Sequence, residues 1–311
     1  MPIDKDLHID AALSNISVMY KNTGFVADLV LPRVKVAKRS DKIKVYDKTL
    51  FKSVSTYRRD KAPSSVVDWG FATDDSYLCE KYALKDYVSQ DDRDNADVPI
   101  RPDVDTTEII NSLLFLDREM RVKTLLTTYT NYTSGMYSTL ASGKRWTDYD
   151  SVDSKPLIDI KNAKAAIYAA TMIEPNVILI PYAVALALAD HPAISAITKY
   201  TRDDLLTYGG LPPTIKGLKV IEAGAGYDTA QDPQTSVLAG VWSDFVWIGY
   251  VDPNPGLKTI CFGVSPEWKG RIARKWHDND KNADAIEIEE QGIDEKIIAK
   301  DCGYLLIDVL G

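Results

Sequence analysis

Histidine and cysteine are scarce, with three of each in 311 residues. Cys79, Cys261 and Cys302 are far apart and odd in number, and they form no Cys-x-x-Cys pair. That argues against a disulfide framework or a thiolate metal site and suits a reducing compartment. No run of ~18 apolar residues occurs, so no membrane span is expected. The N-terminal stretch MPIDKDLHID lacks the apolar core of a secretion signal. The Gly-x-Ser-x-Gly elbow, the Walker phosphate loop and the His-Glu-x-x-His zinc motif are all missing. Positive charge is in deficit, 37 Lys and Arg against 45 Asp and Glu, for a formal net charge of -8. A protein that grips nucleic acid by a basic face usually leans the other way. What is present is an ordinary globular composition, 45% hydrophobic and 26% charged. The chain is long enough for one large domain or two intimate ones.

The charge is unevenly placed. Residues 33–61 hold eleven basic and three acidic side chains, a balance of +8, and residues 74–108 reverse it with eleven acidic and four basic, a balance of -7. The basic stretch alternates weakly at 43–45 and 51–54, and 64–72 can return antiparallel. The spacing predicts a long two-stranded excursion over 41–75. It is too polar to own a core and must lie on another surface or flap. A strand is expected over 77–88. Asp105 followed by Glu108 reads as a helix start. Ile109, Ile110, Leu113, Leu116, Met120, Leu125 and Tyr129 then run to about residue 132 without proline or glycine. That is a helix of ~28 residues, long enough to span a whole subunit.

Upstream, Ile9, Leu13, Ile16 and Tyr20 have helical spacing, and 25–32 is a short apolar anchor ended by Pro32. Downstream of Gly143 the texture is mixed. Helices are expected over 155–170, 182–189 and 193–200. Strands are expected over 176–180, 219–222, 246–251 and 259–264, separated by proline-rich turns. The segments 285–289, 295–299 and 304–309 read as a small C-terminal antiparallel sheet with one wet face.

Four candidate sites can be weighed. His191 precedes Pro192 and reads as a cap or turn residue. His277 beside Asp278 is a His-Asp pair with no serine elbow to serve. Gly224-Ala225-Gly226 follows a strand like a dinucleotide loop, but the third glycine is missing and no helix follows, so a hairpin or surface turn is the better reading. Asp278, Asp280, Asn282 and Glu289 match a calcium-loop spacing, but Ala283 replaces the required glycine. An acidic turn entering a strand competes with that weak calcium site.

Several stretches, in this order, resemble the major capsid proteins of tailed bacteriophages. They are SNISVMYKNTGFVADLVLPRVKVAKRSDKIKVYDK (14–48), DIKNAKAAI (159–167), PNVILIPYAVALALADHPAI (175–194), LPPTIKGLKVIEAGA (211–225), VWSDFVWIGYVDP (241–253) and EKIIAKDCGYLLIDVL (295–310). The resemblance implies an α+β fold with four parts. These are an N-terminal arm (1–40), an extended hairpin or E-loop (41–75), a P domain (76–142 and 283–311) with a spine helix near 105–132, and a mixed A domain (143–282). It also implies a structural, non-enzymatic subunit without cofactors. Such a subunit forms hexamers and pentamers of an icosahedral phage head that encloses double-stranded DNA without sequence-specific binding. Assembly would take place in the host cytoplasm. Portal and decoration proteins are implied partners, and so is a separate scaffolding protein, since no coiled-coil-like extension precedes the arm. The basic loop of one subunit would lie over the acidic segment of the next, with Arg58, Arg59 and Lys61 facing Asp91, Asp92 and Asp94, and with Trp69 and Phe71 either anchoring beneath the neighbour or packing in the core of their own subunit. Against this stand two solvated charged faces with no interface role. Two rival functions are a shell protein of a bacterial encapsulin-type nanocompartment and a soluble α/β enzyme or ligand-binding protein using residues 146–265.

Overall fold

A computed structural model of the chain describes residues 22, 24–46, 48–67, 70–72, 75–96, 100–198, 210–230, 234–256 and 259–311. The helical spacing read at 9–20 lies outside them.

The long helix is Pro102–Thr127, 26 residues, about 39 Å at the standard rise. It starts earlier than the Asp105 signal suggests. Pro102 takes the first helical position, where a missing N–H costs nothing. Asp105 instead reaches back to accept the Arg101 N–H at 3.1 Å. The helix also ends earlier, with Tyr129–Asn131 forming a separate 3-10 turn. Ile110, Leu114, Arg118, Val122 and Leu126 make a buried row at four-residue steps, the expected core stripe of a helix.

The helix packs on a three-stranded antiparallel unit. Its middle strand, Ala283–Ile293, pairs with Glu80–Ser89 on one side and Arg271–Asp278 on the other. Val88, Ile110, Leu114, Ile286 and Ile288 fill the space between helix and sheet. The same sheet continues through Gly263–Glu267, which carries Arg33–Lys35 as a parallel edge strand.

The second sheet has six strands in the order Tyr137–Thr139, Gly303–Ile307, Phe245–Gly249, Val177–Pro181, Leu218–Ala223 and Thr214–Ile215. Val177–Pro181 and Phe245–Gly249 are buried at every position, which explains their unalternating apolar runs. Gly249 pairs with Gly303. A Cβ at Gly249 would overlap the Trp247 ring, and one at Gly303 would overlap Phe262. Both glycines make room for the edge-to-face Trp247–Phe262 pair, centroids 5.2 Å apart.

Two sequence expectations need correction. The segments 285–289 and 304–309 do not share a C-terminal sheet. The first belongs to the helix-backed sheet, whereas Gly303–Ile307 lies inside the mixed half's sheet. Likewise the strand expected at 259–264 forms at Gly263–Glu267, and Gly263–Glu267 and Arg271–Asp278 join the helix-backed sheet rather than the mixed half. Segment length and alternation locate strands but carry no information on long-range partners.

The 41–75 excursion is a ribbon with an irregular end. Ser40–Lys42 pairs with Ser76–Leu78, and Val45–Tyr46 with Phe71–Ala72, both antiparallel. Lys48–Phe51 is one 3-10 turn. The described residues from 52 to 67 form no helix or strand, so the strands expected at 51–54 and across most of 64–72 are absent. Two strands with no third layer are marginal in water.

Candidate assembly interface

The loop root is fastened by Lys48, whose ammonium donates to the Ala170 carbonyl and the Asp301 carboxylate, each at 2.8 Å. Beyond that anchor the side chains turn to solvent. Tyr57 is 79% and Val66 is 92% exposed, and Phe51, Val54 and Val67 are more than half exposed. Arg58, Arg59 and Lys61 stand among them, all exposed. Arg58 Nε donates to the Ala62 carbonyl at 2.6 Å, and Lys61 adopts a left-handed φ of 62°, so the chain turns over here. Phe71 sits in the returning strand, and Trp69 lies outside the described residues. An exposed cluster of aromatic and β-branched residues flanked by cations has the composition of an interface core with a charged rim. The sequence reading missed Tyr57, Val66 and Val67. Their signal was present, in large apolar residues within a segment that has no core of its own.

The acidic residues are placed differently. Asp91, Asp92 and Asp94 lie exposed on one helical turn, Gln90–Asp94, that follows the strand Glu80–Ser89. Ser89 and Asp92 form a reciprocal capping box, and those hydrogen bonds hold the Asp92 carboxyl below its usual range. Arg93 turns the other way, to Asp103 at 2.9 Å and Asp284 at 2.8 Å. Lys275 reaches Asp103 at 3.0 Å, and His277 Nδ1 lies 3.0 Å from Asp284. Hydrogen bonds from Arg93 lower the Asp103 carboxyl, and His277 followed by Arg93 lowers Asp284. This network ties the acidic turn to the long helix and the sheet. Ile100, Val104, Ile109 and Leu113, each about half exposed, lie at or along the first half of the helix. Within one chain no ion pair among the described residues joins Arg58, Arg59 or Lys61 to Asp91, Asp92 or Asp94. Within the described residues the two charged sets are therefore exposed but not paired with each other.

A third feature is built on the long helix. Residues 24–36 form a strap across the middle of the long helix, gripped by two adjacent side chains. Glu119 is fully buried and its carboxylate accepts the Val26 and Ala27 amides, the latter at 2.8 Å. Arg118, also buried, donates to Asp28, to the Leu31 carbonyl at 3.3 Å and to Ser265 Oγ at 3.0 Å. The carboxylate thus meets the N-terminal end of the helical turn Ala27–Val30 and the guanidinium meets its C-terminal end, matching the backbone dipole at each. Burial pushes the Glu119 carboxyl up despite those two amides. Burial also opposes the charge on Asp28, but Arg118 and Arg33 outweigh it and hold that carboxyl low. The sequence carried a clue here as well, because Arg118 interrupts an otherwise apolar four-residue row.

The catalytic and metal candidates resolve otherwise. His277 pairs across the strands with Asp284 and not with adjacent Asp278, because neighbours in a strand face opposite ways. His191 is buried; its Nδ1 accepts the Ala193 N–H at 3.1 Å and its Nε2 lies 3.2 Å from Ser154 Oγ. Ser154 donates its own proton to the Arg145 carbonyl at 2.7 Å, so the imidazole caps a helix and does not activate the hydroxyl. Asp278, Asp280 and Asn282 flank a tight hairpin turn in which Asp278 pairs with Ala283. Glu289 lies six residues up the strand, about 20 Å away, and is ion-paired to Lys81 at 2.9 Å and Arg274 at 2.8 Å. It cannot complete a calcium loop, and no cluster of metal-ligating side chains occurs among the described residues. Cys261 and Cys302 are buried thiols pushed up by desolvation to about 11 and about 12. Gly224-Ala225-Gly226 leads into the hairpin of Gly226–Asp228 with Leu238–Gly240, as a turn should.

Comparison with known proteins agrees with this geometry. No family model matches the chain. It is 27% identical over 307 residues, 95% of each chain, to the major capsid protein of Pseudomonas phage JBD67. It is 24% identical over 252 residues, 80% of this chain and 78% of the other, to that of Burkholderia phage BcepMu. Among solved structures, the capsid of cyanophage P-SCSP1u superposes with a TM-score of 0.68 over 97% of this chain and 93% of the other at 9% identity. The SrpI encapsulin of Synechococcus elongatus PCC 7942 superposes with a TM-score of 0.56 over 96% and 95% at 11% identity. The second pair of likenesses speaks for the fold alone. The two sequence relatives, together with the shared fold, support a capsid shell subunit.

Proposed function

We propose that this subunit closes hexameric and pentameric rings into an icosahedral phage head around double-stranded DNA, without catalysis. The carrying observation is the loop of residues 48–67, which holds five large apolar side chains in solvent on a fastened root. In a neighbouring copy the surface that fits it is the acidic turn Gln90–Asp94 with the half-exposed Val104, Ile109 and Leu113 beside it. Apolar burial would supply most of the affinity, and the opposite charges would set register and encounter rate. Each exposed pair contributes only ~0–1 kcal/mol, so repetition around a ring has to carry the electrostatic part. Assembly in the host cytoplasm, with scaffolding, portal and decoration proteins as partners, belongs to the same proposal.

Negative-stain electron microscopy of the purified chain tests it. Closed shells, sheets, or rings of five and six support the reading. A monomer that stays unassembled across salt concentrations and with scaffolding protein added would refute it. Particles that carry protein cargo and no nucleic acid in the producing cell would instead favour the encapsulin-type compartment.

A further inference from the structure

We infer that the N-terminal strap and the hairpin of Gly226–Asp228 with Leu238–Gly240 form one coupled conformational unit, so that docking of the strap sets the order of the hairpin. The outgoing root of the hairpin is held by the residues that lead into the strap, and the returning root is held to the outgoing one. At the outgoing root, the Asn22 side chain donates to the Gly226 carbonyl at 2.6 Å and accepts the Gly226 N–H at 3.2 Å. Asn22 thereby occupies both backbone groups of one residue, as a neighbouring strand would. Gly24, at φ 101°, lies against Gly224, where an added Cβ would sit 3.2 Å from the Gly224 nitrogen. At the returning root, Val241 N–H donates to Ala225 at 2.8 Å. The next residue, Trp242, is buried.

Between its roots the hairpin has little else to hold it. Its ladder pairs three residues with three. Beyond that ladder, Asp228 accepts the Ala230 and Val237 amides at 2.9 Å each. Val237 and Leu238 at the end are largely exposed. A short exposed ladder opens at low cost, so its population of closed states depends on how its roots are held. By linkage the dependence is mutual. Whatever lifts the strap loosens the hairpin, and whatever orders the hairpin tightens the strap. The inference rests on contacts inside one chain and stands apart from the shell reading.

The test is amide hydrogen exchange, read residue by residue on the purified full-length chain. Thr229 and Val241 are the reporters; their amides bond to Val237 and Ala225, and neither touches the strap. In Asn22→Ala these two amides should exchange roughly three- to tenfold faster, the loss of one or two net hydrogen bonds. Amides of the buried strand Val177–Pro181 should keep their parent rates. Conversely, Asp228→Ala, which alters only the exposed hairpin, should speed exchange at Val26 and Ala27 by a similar factor. Parent rates at Thr229 and Val241 in Asn22→Ala, or at Val26 and Ala27 in Asp228→Ala, would overturn the coupling. Uniform acceleration that includes Val177–Pro181 in both variants would overturn it as well, because the effect would then be global.

Discussion

The strap of residues 24–36 and the loop of residues 48–67 are close in sequence, and both are poor in regular structure. The strap holds one helical turn and the short edge strand Arg33–Lys35, and the loop holds one 3-10 turn. The strap nevertheless buries Val26, Ala27, Val30 and Leu31, and its backbone groups go to Glu119, Arg118 and the edge of Gly263–Glu267. The loop buries almost nothing and is fastened at its root by Lys48. Order in this molecule follows where backbone polar groups and apolar side chains find partners, not where helices and strands occur. The strap finds its partners within the chain, whereas the loop's described apolar side chains find few there; under the proposed assembly they find them on another copy.

Substitutions can separate the two roles. Arg118→Ala should have the largest effect. It removes one donor from half-exposed Asp28, which keeps Arg33, and one from the Leu31 carbonyl, which keeps Ser265, and it empties the space of a fully buried side chain, a kind of core truncation that costs about 2–5 kcal/mol. Urea unfolding should show it as a lowered midpoint, and a midpoint near the parent value would mean the clamp carries little. Replacing Tyr57, Val66 and Val67 together by serine should do the reverse. Subunit stability should stay within about 0.5 kcal/mol while the yield of closed particles collapses; particles at parent yield would remove the loop from the interface.

Acidity sharpens the contrast further. Asp103 and Asp284 have carboxyls lowered from 3.8, so their contribution is present above that value and is lost as pH falls through their lowered values. Glu119 is raised from 4.5. Its folded state binds the proton more readily, so acidification from its raised value down to 4.5 adds stability at the strap. Asp103→Asn should flatten the acid limb of the stability curve below pH 4, and Glu119→Gln should flatten the region above 4.5; thermal melts from pH 3 to 7 would show whether the two regions separate. Smallest of all, millimolar calcium should leave the melting temperature unchanged, since Glu289 is ion-paired far from the Asp278 turn. A calcium-dependent rise would reinstate the metal site.

Much of this was legible in the residues. The long helix announced itself by an apolar row without breakers, and the buried strands by unalternating runs such as Val177–Pro181. The charge reversal between 33–61 and 74–108 was plain, as was the lack of catalytic spacing. Partners in space were not legible. Local periodicity says which side of a strand is apolar but not which distant strand it joins, so Gly303–Ile307 was placed in the wrong sheet. The clamp was hidden for a related reason. Arg118 and Glu119 look like surface charges on a helix until the strap arrives about 90 residues away in sequence.

What the sequence determined alone was the long helix, the buried apolar strands, their order along the chain, and a basic loop too polar to own a core. Those follow from local steric preference and side-chain periodicity, which act over a few residues. Only the tertiary structure decided that the loop's apolar residues go unburied, that Asn22 serves as a strand neighbour to Gly226, and that one buried carboxylate holds two amides of the strap. Each of these depends on which backbone amides and carbonyls are left without a partner once the chain is packed, and that is settled by contacts between residues far apart in the sequence.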